Sequence, residues 1–266
     1  METSQEKNKI LIRFSVLNRF LHWVVMLGFI GLGLTGFSHK FSSQFWARGV
    51  AFILGGQEWL GYWHRFWAVI TYSGVVIHLG WLAYYKTLLK GRLTGPQTIF
   101  PRGKDLLDLY QHIRYFLGRG KVPKFDRFTY WEKVDYWAIL VGMNTMGLTG
   151  LVMWFPEFFA AFIPGYFINL AQVIHLYEAI MAVALKFVIH MVTAHLRPEI
   201  YPMDRVIFSG RTTLERLKHE RPAEWESLMG GVKAEAAAAT AEIAVEEGLP
   251  GQDEAAPPKE EELKPE

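Results

Sequence analysis

Nine histidines occur in this 266-residue chain, and five of them, His22, His64, His78, His175 and His190, sit inside long apolar runs. An ionisable side chain is costly at such depth and is a functional candidate by default. Spacing narrows the chemistry. His64 and His78 are fourteen positions apart, so at roughly 100° per residue both project from nearly one face of a helix, roughly 21 Å apart along its axis. His175 and His190 are fifteen apart, again on one broad face and about 22 Å apart. Where the two helices run in the same direction, imidazoles face one another at two depths. Two bis-imidazole haems need that donor set, because haem iron takes one axial ligand from each side of the ring and neighbouring helices supply them. His22 adds a third imidazole at the depth of His78 and His190. Either His22 or His78 then pairs with His190, and the other bonds a propionate, lines a quinone pocket or serves a third haem.

Other imidazole chemistries fit less well. Two histidines per level fall short of a zinc site. A proton relay would more naturally show interleaved carboxylates, and only Asp135 and Glu178 are available in or near these runs. The chain also contains no cysteine. That excludes disulfides, cysteine-ligated zinc, iron–sulfur clusters held by this chain and covalent C-x-x-C-H haem attachment. Net charge is only +2, with basic and acidic residues segregated along the chain; the expected partners include the lipid bilayer and no nucleic acid.

The elements that must position these histidines are the apolar runs themselves, at about 17–37, 62–85, 134–155 and 168–196. Each reaches the roughly 20 residues that a helix needs to cross a bilayer. Trp and Tyr cluster at their ends, as at a lipid–water interface. The first run has a basic flank like a secretory signal, but no small-residue cleavage site follows Phe37, so it reads as a retained helix. The spacing predicts an all-α, integral membrane four-helix bundle of up-down-up-down order. Its cytochrome-like membrane unit covers 1–222, and an acidic, Ala/Glu/Pro-rich tail over 223–266 reads as disordered.

Loop charge sets the expected orientation. The 86–133 connection carries eleven Lys/Arg against four Asp/Glu, whereas 156–167 has no Lys or Arg and 38–61 has only Lys40 and Arg48. Positive-inside bias therefore places both termini and the 86–133 loop in the cytoplasm, with the chain in the inner membrane. Within that loop KDLLDLYQHIRYFLGRG reads as an amphipathic helix, resting on the bilayer surface or docking a partner.

Further polar residues accompany the histidines. Arg65 beside His64 suits a propionate. Lys186, one turn before His190, suits a propionate or a quinone oxygen, or else snorkels to the interface. Glu178 and Asn144 are further intramembrane polar groups. His39, His112, His195 and His219 read as ordinary interfacial or loop residues. Glycines at 28, 31, 33 and 36, and at 142, 147 and 150, either admit a flat macrocycle or simply let helices pack closely.

R-F-L-H-W at 19–23, H-R at 64–65, I-H…V-I-H-M over 174–191 and the run from Trp131 to a closing G-L-T-G-L-V-M-W resemble the four-helix b-type cytochrome subunits of formate dehydrogenase and nickel–iron hydrogenase. The resemblance covers roughly residues 13–215. It implies that His22 pairs with His190 and His64 with His175. His78 departs from that pattern, and the 64/78 and 175/190 spacing looks instead like the cytochrome b of quinol–cytochrome complexes. The resemblance further implies a membrane diheme cytochrome b. Such a subunit moves electrons between menaquinone or ubiquinone and a partner bearing iron–sulfur or multihaem c-type centres. A haem-free transporter with a histidine proton relay and a structural membrane anchor are the alternatives.

Overall fold

The computed structural model describes residues 9–232 and 234. In chain order the helices are α1 (Val16–Lys40), α2 (Phe45–Ile53), α3 (Gln57–Thr87), α4 (Gly103–Phe116), α5 (Tyr130–Trp154), α6 (Pro156–Ala160), α7 (Gly165–Ala184, continued by π-helical turns over Leu185–His195), α8 (Val206–Ser209) and α9 (Leu214–Glu220). Four of these, α1, α3, α5 and α7 with its π extension, are long and apolar enough to cross a membrane. The fold is the all-α membrane bundle expected from the apolar runs.

Caps start two of the spanning helices. Ser15 accepts a hydrogen bond from the Asn18 N–H (3.2 Å) at the start of α1. At the start of α5, Thr129 and Glu132 form a reciprocal capping box, which satisfies amide groups that no helical carbonyl can reach. The bundle is built from two antiparallel hairpins, α1/α3 and α5/α7, each far more intimately packed within itself than against the other. Small residues make the first hairpin tight. A Cβ at Gly28 would fall 1.9 Å from Thr71 Oγ1, and one at Gly31 2.4 Å from the Trp67 ring. Between hairpins the contacts are sparse. Tyr72 donates to Asn144 Oδ1 (3.0 Å), and the same tyrosine ring lies against Gly147.

One end of the bundle is gathered by short strands and ion pairs. Strand β1 (Ile10–Ile12) pairs antiparallel with β2 (Arg211–Thr213), tying the start of the chain to the segment after α8. Glu224 is held between Arg13 and Arg127, at 3.1 Å from each. Arg221 bonds Glu132 at 2.7 Å, and Arg216 pairs with both Asp204 and Glu220. Burial would raise the Asp204 carboxyl, but hydrogen bonds from Arg216 and the Val206 amide outweigh it and hold the group below its ordinary value. Residues 222–232, which include Glu224, are helical. Apart from Ala234, the rest of the expected tail lies outside the described residues.

Helix α4 is amphipathic as the sequence indicates, and it turns its polar side inward. Asp105 receives Lys133 Nζ of α5 on both oxygens (2.8 and 3.0 Å), while Leu106, Leu107, Tyr110, Ile113 and Phe116 are exposed. Lys133 is only 2% exposed. Removing one member of a buried pair leaves an uncompensated charge and costs about 3–5 kcal/mol. Lys133→Ala is therefore expected to lower the thermal denaturation midpoint in detergent steeply. The paired replacement Lys133→Met with Asp105→Leu should recover most of that loss, and a single variant as stable as the parent would contradict the buried-pair account.

Candidate functional site

At one level of the bundle the rings of His64 (α3) and His175 (α7) face each other with centroids 6.3 Å apart, inclined at 69°. Their surroundings match residue for residue. His64 Nδ1 lies 3.0 Å from Thr35 Oγ1 of α1, and His175 Nδ1 lies 2.9 Å from Thr149 Oγ1 of α5. Each threonine hydroxyl is also close to a carbonyl of its own helix, Gly31 O at 2.6 Å and Thr145 O at 2.7 Å. A carbonyl can only accept, so the hydroxyls donate there and accept from the Nδ1–H of the histidines. Both imidazoles are thereby fixed in the tautomer that offers Nε2 as a lone-pair donor, the arrangement seen when a second residue orients a metal-bound histidine. Glycine lets each ring lie against the opposite helix, since a Cβ at Gly36 would stand 3.0 Å from His64 Cε1 and one at Gly150 3.4 Å from His175 Cε1.

The separation also suits an iron. Two metal–imidazole bonds of about 2 Å, plus the ring radii, put facing ring centres roughly 6 Å apart. The His64–His175 pair, at 6.3 Å, meets that requirement.

The second level gathers His22, His190 and His195, with one ring nitrogen of each within 4.8 Å of the others. His190 Nδ1 donates to Asp135 Oδ2 of α5 (2.8 Å), again leaving Nε2 free. Lys186 forms an ion pair with the other oxygen of Asp135. The rings of His22 and His195 are 5.8 Å apart, those of His190 and His195 5.3 Å, and Phe208 of α8 covers His195. The Nδ1 atoms of His22 and His195 are buried with no partner among the described residues. Such orphaned nitrogens cost about 1–3 kcal/mol each, and a cluster of them fits the binding of a further group.

The π turns of α7 place His190. In a plain α-helix, fifteen residues at roughly 100° each would carry it about 60° beyond His175. The i→i+5 turns over Leu185–His195 rotate less per residue and return it toward the same face.

Several sequence candidates take other places. His78 Nε2 lies 2.7 Å from the Tyr136 hydroxyl of α5, so the structure brings His22, not His78, to His190. Arg65 stacks over the rings of Tyr62 and Trp154. Lys186 engages Asp135 rather than reaching past the bundle. Glu178 packs against Gly142, its Oε1 2.6 Å from a Cβ built there. The glycines mostly admit side chains of a neighbouring helix, as in ordinary close packing.

Four contributors escape a reading centred on isolated histidines. Thr35 and Thr149 carry a signal in the repeated tetrapeptide G-L-T-G at 33–36 and 147–150, once on each hairpin. Asp135 is a lone carboxylate whose partner cannot be foreseen from spacing. His195, taken as an ordinary interfacial residue, is 6% exposed and belongs to the cluster of His22 and His190, because α8 folds back over the end of α7.

Residues 13–208 match the family described as Prokaryotic cytochrome b561. The chain is 21% identical over 191 residues to the formate dehydrogenase, nitrate-inducible, cytochrome b556(Fdn) subunit of Escherichia coli K12, covering 71% of this chain and 77% of that one. It is 22% identical over 190 residues to the formate dehydrogenase cytochrome b556(fdo) subunit of the same organism, covering 71% and 81%.

Proposed function

Since the chain belongs to the prokaryotic cytochrome b561 family and is a membrane cytochrome b electron-transfer subunit, we propose that it holds two b-type haems and links a quinone pool to a partner redox subunit. The observation that carries this reading is the His64–His175 pair, 6.3 Å apart, with both Nδ1 atoms committed to threonines. Haem b, when bound, supplies reversible one-electron chemistry. His64 and His175 would hold the outer haem through Nε2, and Thr35 and Thr149 keep those nitrogens available. His22 and His190 would hold the inner haem, and His78 stays on Tyr136 outside the ligand set. His190 lies fifteen positions after His175, at most about 22 Å along the helix, a path across most of a bilayer.

Absence of cysteine assigns iron–sulfur or c-type centres to the partner. The relatives named above are subunits of formate dehydrogenases, which supports a partner of the same general kind: a catalytic oxidoreductase with its own electron-carrying centres. The basic 86–133 loop favours an orientation with both termini and the inner cluster at the cytoplasmic face of the inner membrane. In that orientation the outward apolar side of α4 rests in the lipid interface.

Reduced-minus-oxidised absorption spectra of the purified full chain test the reading. A b-type band is expected, with two haems per chain by extraction and partial reduction on adding a menaquinol or ubiquinol analogue. A chain without a b-type band would overturn the proposal and leave a histidine relay or a structural anchor in its place.

A further inference from the structure

The two histidine levels differ in what receives the Nδ1 proton. At the outer level the acceptors are neutral hydroxyls, Thr35 for His64 and Thr149 for His175. At the inner level the acceptor for His190 is a carboxylate, Asp135, whose second oxygen is paired with Lys186. All three side chains are substantially shielded, with exposures of 34% for Asp135, 19% for Lys186 and 25% for His190. Lys186 and His190 are four residues apart, so they lie on one side of the π-helical segment, and Asp135 faces both from α5. The cluster is thus a three-member relay from a cation, through an anion, to an imidazole whose other nitrogen is free.

We propose that Asp135 and Lys186 form a charge pair that sets the reduction potential of the inner haem through His190, the carboxylate lowering it and the ammonium limiting the drop. The inference rests on the two-haem reading above. A carboxylate drawing on the Nδ1–H makes the imidazole a stronger donor at Nε2. A stronger axial donor and a nearby negative charge both favour ferric over ferrous iron, and hydrogen bonding around the ligands is one of the protein's levers on haem potential. Lys186 opposes this from the far oxygen, one atom more distant from the imidazole, so it moderates the effect without cancelling it. Asp135 and Lys186 are therefore positioning residues acting through His190. The outer level has no such charged handle on its ligand hydrogen bonds, so one potential can be tuned without the other.

Potentiometric titration of the full chain, purified in detergent and followed at the b-type band, reads the effect directly. Asp135→Asn keeps an acceptor of similar shape and removes the charge. It is expected to shift the inner haem positive by at least a tenfold change in the oxidised-to-reduced ratio, about 59 mV for a one-electron couple. Lys186→Gln leaves the carboxylate uncompensated and is expected to shift the same haem negative. The outer haem should stay where it was in both. Running each variant also on a His175→Ala background, where the inner haem is the one expected to remain, assigns the shifts. Should Asp135→Asn lose the inner haem, Lys186→Gln still decides, because it preserves every group that touches His190. Opposite shifts of the inner haem support the inference. Unchanged inner potentials, or equal shifts of both haems, overturn it while leaving the two-haem reading intact. A His175→Ala chain with no haem at all would instead count against that reading.

Discussion

Replacing His175 by alanine should cut the haem content from two per chain to one and leave the remaining centre spectrally intact. The same result is expected for His64→Ala. In the proposed reading each of these residues would supply one of the two protein ligands of the same haem iron. The nearest hydroxyl, Thr149 for His175, is engaged with Nδ1 and the Thr145 carbonyl. Loss of His175 would leave the iron a single protein ligand, His64 Nε2, too little to retain that haem through purification. Extraction of haem from the purified variants, counted against protein, measures the outcome. Should both variants retain two haems, the outer pair has been assigned wrongly, whatever the family resemblance.

The second large effect separates three histidines that share a depth. His190→Ala and His22→Ala are each expected to lose the inner haem, whereas His78→Ala should retain both. The physical distinction is the free nitrogen. His190 spends Nδ1 on Asp135 and keeps Nε2 available; His78 spends Nε2 on Tyr136. His22 joins His190 in the inner cluster, with His195 against both rings. Haem counts for the three variants, read side by side, decide the matter. Retention by His22→Ala together with loss by His78→Ala would reverse the assignment.

His195 shows how far a depth argument reaches. Its place at the end of the last apolar run suggests a residue of the interface. In the folded chain, Phe208 of α8 stacks over it and Asp204 donates its backbone N–H to the His195 carbonyl (2.8 Å). The turn after Leu196 thus seals the inner cluster rather than leaving its last histidine in solvent. The segment after strand β1, the 86–133 connection and the residues around Glu224 are drawn to the same end by ion pairs between segments up to 211 positions apart. Such partners are invisible to local patterning, because nothing in a charge run says which distant charge will meet it.

Much of the protein was nevertheless legible in the linear chain. Length and apolar composition determine the four spanning helices, because about 1.5 Å of rise per residue must match the hydrocarbon thickness. The same rise places His64 with His175 at one depth and His22, His78 and His190 at another. Absence of cysteine limits any metal held here to ligands such as histidine. Sequence therefore supplies the axial coordinate of every candidate ligand. The remaining coordinate, rotation of each helix about its own axis, follows from packing: Gly28 against Thr71, Gly31 against Trp67, and the π turns that re-aim His190. A few tens of degrees in that angle decide whether an imidazole meets another imidazole, a tyrosine or an aspartate. Periodicity and spacing do not fix it, because it is set by side chains on neighbouring helices; the motif resemblance implied His22 as the partner of His190, and the tertiary structure is what places His22 there and His78 on Tyr136.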